Sequence, residues 1–204
     1  MIEFKIDDVV DYEEALATQN ELVLSKKSTD SDHLVWLLSH PPVITYGIKR
    51  GAIDNLLTNT EIPVVKISRG GDITYHDEGQ LTGYFFFKLK PDLRDLHKFL
   101  FNIEESIIKT LDLFMVGAHR VEGKTGVFFN DKKVCSIGIA CRHWITFHGF
   151  SLNFTSNLNH YQLINPCGFE SGIMANITQF IPDLTMKQFT QKYKSICTTI
   201  FQSY

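Results

Sequence analysis

Hydrophobic and polar residues alternate through Ile2-Glu3-Phe4-Lys5-Ile6, the two-residue period of a half-buried strand. Asp8 or Asp11 can cap a following helix that runs to about Lys26 and sets Tyr12, Ala15, Leu16 and Leu22 on one face. His33 to Leu38 is a continuous apolar run, as expected of a strand covered on both sides, and His40-Pro41-Pro42 ends it. Val43 to Tyr46 and Pro63 to Ile67 read as further strands, the second leading into the glycine pair Gly70-Gly71. The run from Gln80 to Leu89 is nearly all apolar or aromatic and predicts a central strand. From Asp95 to Leu111 the period changes: Leu96, Phe99, Leu100, Ile103, Ile107 and Leu111 recur at helical spacing. Gly126 to Phe129, Val134 to Cys141 and Ile145 to Phe154 predict three strands, with Asn130-Asp131 as a hairpin turn between the first two. A last helix, from Thr185 to Gln202 and preceded by a boundary at Pro182, turns Met186, Phe189, Tyr193, Ile196 and Ile200 inward. Helices and strands follow no regular βαβ order. The expected class is therefore α+β, a mixed and largely antiparallel sheet with packed helices.

The 204 residues contain no internal repeat and no linker, so residues 1–204 are read as a single domain. With 44% hydrophobic and 21% charged residues the chain has the balance of a globular protein, and its 16 phenylalanines are expected in the core or along an apolar cavity. A net charge of −3 argues against general nucleic-acid binding, which needs a basic footprint. No apolar run is long enough to span a membrane, and Met1-Ile2-Glu3-Phe4-Lys5 lacks the pattern of a secretion signal, so a cytoplasmic location and no membrane partner are expected. Cys135, Cys141, Cys167 and Cys197 are then expected as free thiols. Their spacing, with scattered histidines, matches no metal site, and neither metal nor cofactor is expected.

Two stretches carry chemistry. In Asn165-Pro166-Cys167-Gly168 a thiol sits between a residue that fixes the backbone and one that frees it, a constrained turn suited to a nucleophile. Lys132-Lys133-Val134-Cys135-Ser136-Ile137-Gly138 supplies a cation for activating such a thiol, with a solvated hairpin lysine as the plain alternative. A third stretch, Arg69-Gly70-Gly71-Asp72-Ile73-Thr74-Tyr75-His76-Asp77-Glu78-Gly79-Gln80, follows a predicted strand. Its adjacent glycines allow close approach of backbone to a ligand, Arg69 presents a fork for an oxygen ligand, and Tyr75 and His76 add an aromatic wall and a titratable group. It is neither a Walker A loop nor a dinucleotide fingerprint, and a hairpin with turn glycines remains the plain reading.

These stretches, taken in order with His40-Pro41-Pro42-Val43-Ile44-Thr45-Tyr46-Gly47 and Trp144-Ile145-Thr146-Phe147-His148-Gly149-Phe150-Ser151-Leu152-Asn153, resemble the octanoyltransferase family of lipoic-acid biosynthesis. The resemblance covers about residues 33 to 180, and the lysine and cysteine motifs are its specific part. Two places depart from the family pattern. His76-Asp77-Glu78-Gly79-Gln80 stands where the family has His-Gly-Pro-Gly-Gln, and Ala175-Asn176 where it has Thr-Ser. The acidic pair Asp77-Glu78 is expected to alter the fit of substrate near the loop.

The resemblance implies the fold of biotin and lipoate protein ligases and transfer of an octanoyl group from acyl carrier protein to a lysine of lipoyl domains. Those domains are found in 2-oxoacid dehydrogenases and the glycine cleavage H protein. It assigns Cys167 as the nucleophile, through a thioester, and Lys133 as its activator. It assigns Arg69 to His76, Ser136-Ile137-Gly138 and Gly149-Phe150-Ser151 to the substrate. Backbone N–H groups at Gly70-Gly71 and around Cys167 are expected oxyanion donors, and Lys49-Arg50 and Arg142-His143 are candidate docking charges for acidic partners. Two other readings stay open: an ATP-dependent lipoate or biotin ligase, which needs no cysteine, and a non-catalytic module that binds the carrier.

Overall fold

Strand β1 (Ile2–Val9) extends further than its alternation predicts and leads into helix α1 (Tyr12–Ser28). The computed structural model describes residues 1–28, 32–114, 117–166 and 171–204. Strands β2 (His33–Ser39), β3 (Val43–Tyr46) and β4 (Val64–Lys66) follow as expected. Then comes β5 (Ile73–His76), a strand within the stretch read from sequence as a loop, and β6 (Gln80–Phe86). Helix α2 (Leu96–Leu111) starts where the Asp95 side chain accepts the Lys98 N–H at 2.9 Å. Strands β7 (Ala118–Val121), β8 (Lys124–Phe129), β9 (Lys132–Arg142) and β10 (Ile145–Asn153) follow; β7 was not foreseen. Helix α3 (Met186–Ile200) opens with a reciprocal cap between Thr185 and Gln188.

A seven-stranded sheet runs in the order β1-β2-β6-β10-β9-β8-β7, and a small second sheet in the order β4-β3-β5. Only β1–β2 and β3–β4 pair in parallel among the described strands, so the class is the mixed, largely antiparallel α+β arrangement expected. Phe129 and Lys132 pair across Asn130-Asp131, with Asn130 at φ 50°, which is the predicted hairpin.

The continuous apolar runs at β2 and β6 are explained by burial on both faces. Val35, Leu37, Phe85 and Phe87 pack with Phe99, Ile103 and Ile107 of α2 and Phe189 and Tyr193 of α3. Leu34, Trp36, Leu38, Tyr84 and Phe86 turn to the opposite face, against Ala15 and Val23 of α1. The stripe α1 buries fully is Tyr12, Ala15, Gln19, Val23 and Lys26; Leu16 and Leu22 are half-buried at its margins and pack against the core. Gln19 earns its place in the core through a hydrogen bond: its Oε1 accepts the His148 backbone N–H at 3.1 Å. The predicted strand to Leu89 is interrupted after Phe86, where the Phe87 N–H donates to the Thr146 hydroxyl (3.1 Å), and pairing with β10 resumes at Lys88 opposite Ile145, where the Leu89 N–H donates to the Trp144 carbonyl (2.7 Å).

Glycine sets how closely the central strands approach. Phe150 lies opposite Gly83, and a Cβ on Gly83 would stand 2.3 Å from the Phe150 ring. A Cβ on Gly149 would stand 2.1 Å from the Gly83 carbonyl oxygen, which is backbone and has no way to swing aside. Gly149→Ala is therefore expected to lower unfolding free energy by about 3 kcal/mol or more, at the upper end for overpacking. Urea denaturation against wild type measures it, and a loss below about 1 kcal/mol would contradict this packing.

Candidate active site

The small sheet lies over the large one at its glycine segment. The Gly70 N–H donates to the Ile139 carbonyl of β9 at 2.9 Å, and a Cβ on Gly138 would meet the Gly70 carbonyl at 2.9 Å. This crossing encloses a cavity of about 330 Å³ between the segment and strands β9 and β10. That volume falls in the range of small-molecule sites. Ser136, Ile137 and Gly138 of β9 form one wall, and Gly149, Phe150 and Ser151 of β10, paired with them in register, extend it. Gly70, Gly71, Ile73, Thr74 and His76 contribute the roof. Tyr75 does not reach the cavity: it is fully buried on the other side of β5, where its hydroxyl bonds His160 Nδ1 at 2.7 Å and its ring packs on Tyr161.

Arg69 and Asp72, both assigned to substrate, line the cavity and also hold the roof in shape. The Arg69 guanidinium donates to the Thr45 carbonyl and hydroxyl (3.1 and 3.2 Å) and to the Gly70 carbonyl (3.2 Å). The Asp72 carboxylate is buried and accepts from Lys49 (2.6 Å), Asn55 (2.8 Å) and the Ile73 N–H (2.8 Å). Burial alone would raise the Asp72 carboxyl, but these three donors outweigh it and hold it below the usual carboxylate range. Lys49, considered as a docking charge, is thus tied to the roof. The Gly70 N–H, considered as an oxyanion donor, is already given to Ile139.

Lys133 sits at one end of the cavity with 3% of its surface exposed, which rules out the solvated hairpin reading. Gly126 makes the room. At φ 130°, its missing Cβ would stand 2.4 Å from the Cys135 carbonyl and 2.7 Å from Lys133 Cε. Glu104 of α2 fixes that glycine, accepting the Gly126 N–H at 2.9 Å through one oxygen and Arg120 Nε at 2.8 Å through the other. The ammonium lies 6.0 Å from the centre of the Phe128 ring. Sequence reasoning missed Gly126 and Glu104; a buried acid on an apolar helix face was the available signal.

Cys167 and Gly168 lie outside the described residues. The chain on either side is anchored. The Asn165 N–H donates to the Asn55 carbonyl at 2.8 Å. Downstream, Lys132 reaches the Gly172 carbonyl at 2.7 Å, Met174 bridges Lys133, and the Ala175 N–H donates to the Lys133 carbonyl at 3.0 Å. The three described thiols, Cys135, Cys141 and Cys197, are all raised by burial, Cys197 to about 12. Among the described residues no group of three or more His, Cys, Asp or Glu could hold a metal ion, and no helix is long and apolar enough to cross a membrane.

The departures at 77 and 176 meet at one residue. The Asp77 carboxylate turns away from the cavity, accepting from the Ser156 hydroxyl (3.0 Å), the Asn157 N–H (2.7 Å) and the Gly79 N–H (3.0 Å). Asn176 Nδ2 donates to the Ser156 carbonyl at 2.9 Å. The acidic side chain at 77 therefore braces the turn and adds no charge facing a ligand.

A polar aromatic group closes the opposite end of the cavity: His76, expected from sequence, with Tyr12, Tyr84 and His148, which were not assigned a role there, backed by His40. The Val10 carbonyl can only accept, so His40 Nδ1 carries the proton (2.7 Å) and Nε2 accepts from the Tyr84 hydroxyl (2.6 Å). His76 bonds Gln80 Oε1 through Nδ1 (3.1 Å) and Thr45 Oγ1 through Nε2 (3.3 Å). Burial keeps all three imidazoles neutral, lowering His40 to about 4, His148 to about 3 and His76 well below its ordinary value.

Residues 11–197 match the family model described as the lipoyl protein ligase A/B catalytic domain. An octanoyltransferase of Caldicellulosiruptor bescii is 41% identical over 84% of this chain and 78% of its own length. One of Pelobacter propionicus is 39% identical over 83% of this chain and 80% of its own. A crystal structure of lipoate-protein ligase A bound with ATP superposes with a TM-score of 0.81 at 14% identity, covering 98% of this chain and 85% of that one. The biotin protein ligase of Aquifex aeolicus gives 0.55 at 11% identity, covering 99% and 69%.

The neutral histidines have a consequence for stability. Unfolded, they take up protons near the ordinary histidine value of 6.5; folded, they do so only at far lower pH. Their contribution is therefore complete above pH 6.5 and is lost as pH falls from there towards about 4. Denaturation midpoints at pH 7.5, 6 and 5 are expected to fall in that order, and His40→Gln to flatten the decline. A midpoint unchanged from pH 7.5 to 5 would contradict the buried neutral imidazoles.

Proposed function

The chain belongs to the lipoyl protein ligase A/B catalytic-domain family, on its octanoyltransferase branch, and from that premise we propose that it transfers an octanoyl group from acyl carrier protein to a lysine of a lipoyl domain through a thioester on Cys167. The observation that carries this reading is the placement of Lys133: a buried amine at the end of a largely apolar cavity, hydrogen-bonded through its backbone to the segment that follows the cysteine. Residues 1–204 act in it as one catalytic unit.

The steps balance without a further reactant. An ammonium at Lys133 favours the Cys167 thiolate, since a free thiol is only a few per cent ionised at neutral pH. The thiolate adds to the thioester carbonyl; a new C–S bond forms, the old one breaks, and the carrier's thiolate leaves with a proton from Lys133. The octanoyl chain lies along Ile137, Gly138, Gly149 and Phe150, where burial of its methylenes supplies binding energy. The acceptor lysine arrives as an ammonium and gives a proton to the now neutral Lys133. Its amine attacks the acyl-enzyme, the adduct gives its second N–H proton to solvent water, an amide forms, and the Cys167 thiolate is expelled with Lys133 again an ammonium.

The acceptors are lipoyl domains of 2-oxoacid dehydrogenases and the glycine cleavage H protein, and the setting is the cytoplasm. Transfer in this scheme needs no ATP, and Cys167 separates it from the ligases that share the fold.

Incubation with octanoyl-carrier protein, without ATP, should add one octanoyl mass to the wild-type chain and none to Cys167→Ser. Lys133→Ala is expected to slow transfer to a lipoyl domain at least a hundredfold. Its Cys167 alkylation midpoint should also move towards an ordinary thiol's, near 8.5. Absence of the adduct together with ATP-dependent labelling of the lipoyl domain would overturn the reading in favour of a ligase.

A further inference from the structure

The two ends of the cavity differ in kind. Between them the wall is small and apolar: Ile137 and Gly138 on β9, Gly149 and Phe150 on β10. One register row further from Lys133, opposite Ile139, stands His148. Its backbone adopts φ 58°, a left-handed conformation rare outside glycine, in the middle of a strand. Gln19 on α1 holds that backbone through the His148 N–H. The imidazole is 2% exposed and lines the cavity, and neither ring nitrogen has a hydrogen-bond partner among the described residues. His40 and His76, close behind, have both ring nitrogens bonded. Strained backbone and unanswered polar atoms together are costly, and such costs concentrate where a ligand is read.

We propose that His148, with Tyr12 and Tyr84, forms the end wall of the acyl cavity and sets the longest alkyl chain the enzyme transfers; this rests on the acyl-transfer reading above. Every methylene laid along the apolar wall adds favourable burial, so an open-ended cavity would prefer ever longer chains. At the His148 row the sign reverses. An alkyl end pressed there leaves two imidazole nitrogens facing hydrocarbon, which replaces no hydrogen bond. The flanking rings do not yield: the Tyr84 hydroxyl is bound to His40 at 2.6 Å, and Tyr12 stacks on His76 at 5.8 Å between ring centres. His148 thus acts as a polar stop, and chains that end short of it keep the gain without the cost.

The test measures kcat/KM for hexanoyl, octanoyl, decanoyl and dodecanoyl thioesters of the carrier protein. Wild type should rank octanoyl above decanoyl. His148→Gly, in which glycine accepts the left-handed backbone, should raise the decanoyl-to-octanoyl ratio about tenfold, the gain expected from two more buried methylenes. Tyr12→Leu, which removes a ring from the same wall, should raise it in the same direction, and thermal unfolding identifies which variant is folded. A loss of activity equal for all chains, with the ratio within about twofold of wild type, would mean a merely structural histidine and overturn the proposal. So would a wild-type enzyme that prefers decanoyl. Octanoyl transfer with unmoved ratios refutes the stop alone, whereas absence of any ATP-independent transfer refutes the acyl-transfer reading and the stop with it.

Discussion

The hydrogen bond from the Gly70 N–H to the Ile139 carbonyl joins the small sheet to the large one, and the cavity exists because of it. The close approach demands glycine on the β9 side, and the roof needs another where it folds against itself. A Cβ at Gly138 would strike the Gly70 carbonyl, and one at Gly47 would stand 2.5 Å from the Gly71 carbonyl. Arg69 and Asp72 then keep the roof from sagging into the space beneath, one by gripping Thr45 and the other by gathering Lys49, Asn55 and Ile73. Charges that line the cavity thus serve as internal braces as well. A desolvated ion is tolerable only when its partners are fixed, and these residues have fixed partners. Rigidity of the roof is the gain: a cavity that must order itself on each binding event would lose affinity to the entropy of doing so.

A second clasp connects the roof to the segment downstream of the cysteine. Asp77 at the β5–β6 turn and Asn176 both hold Ser156, one through its hydroxyl and the other through its carbonyl. The adjacent Ala175 holds the Lys133 carbonyl. Residues that depart from the family pattern at two distant places are therefore neighbours in one network. Either change alone would leave a polar group in the interior to find a new partner, which is why the two are best understood together.

Most of the framework was legible because period and burial agree. Helix α2 shows its apolar stripe and its Asp95 cap in the sequence, and β2 and β6 show the unbroken apolar runs of strands covered on both faces. What was missed has physical reasons. In α1, Gln19 and Lys26 occupy the buried stripe, so a rule that seeks only apolar residues overlooks them. In β5, the glycines before it suggested a loop, yet Ile73-Thr74-Tyr75-His76 pairs with β3 residue for residue. The candidate site was legible in its motifs but not in its orientation. No local pattern distinguishes Thr74, which faces the cavity, from Tyr75, which faces Tyr161. Gly126 and Glu104 were hidden for a related reason: their effect on Lys133 passes through a backbone N–H that no side-chain motif encodes.

The likeness to ligases at 14% identity or below is a likeness of fold. Two sheets laid together at a glycine crossing give a cavity, and such a cavity is indifferent to how its acyl group is activated. Chemistry enters at its ends. At one end a buried lysine calls for a substrate group of negative charge. An adenylate phosphate and a thiolate both meet that requirement, so the lysine alone does not choose between them. In the proposed mechanism the cysteine makes the choice, because a thiolate stores the acyl group covalently and makes prior activation by ATP unnecessary. At the other end, His148 lines the cavity, and its buried ring nitrogens have no hydrogen-bond partner among the described residues. In the proposed mechanism one cavity therefore separates two tasks along its length: the lysine end governs reactivity, and the histidine end governs which chain is admitted.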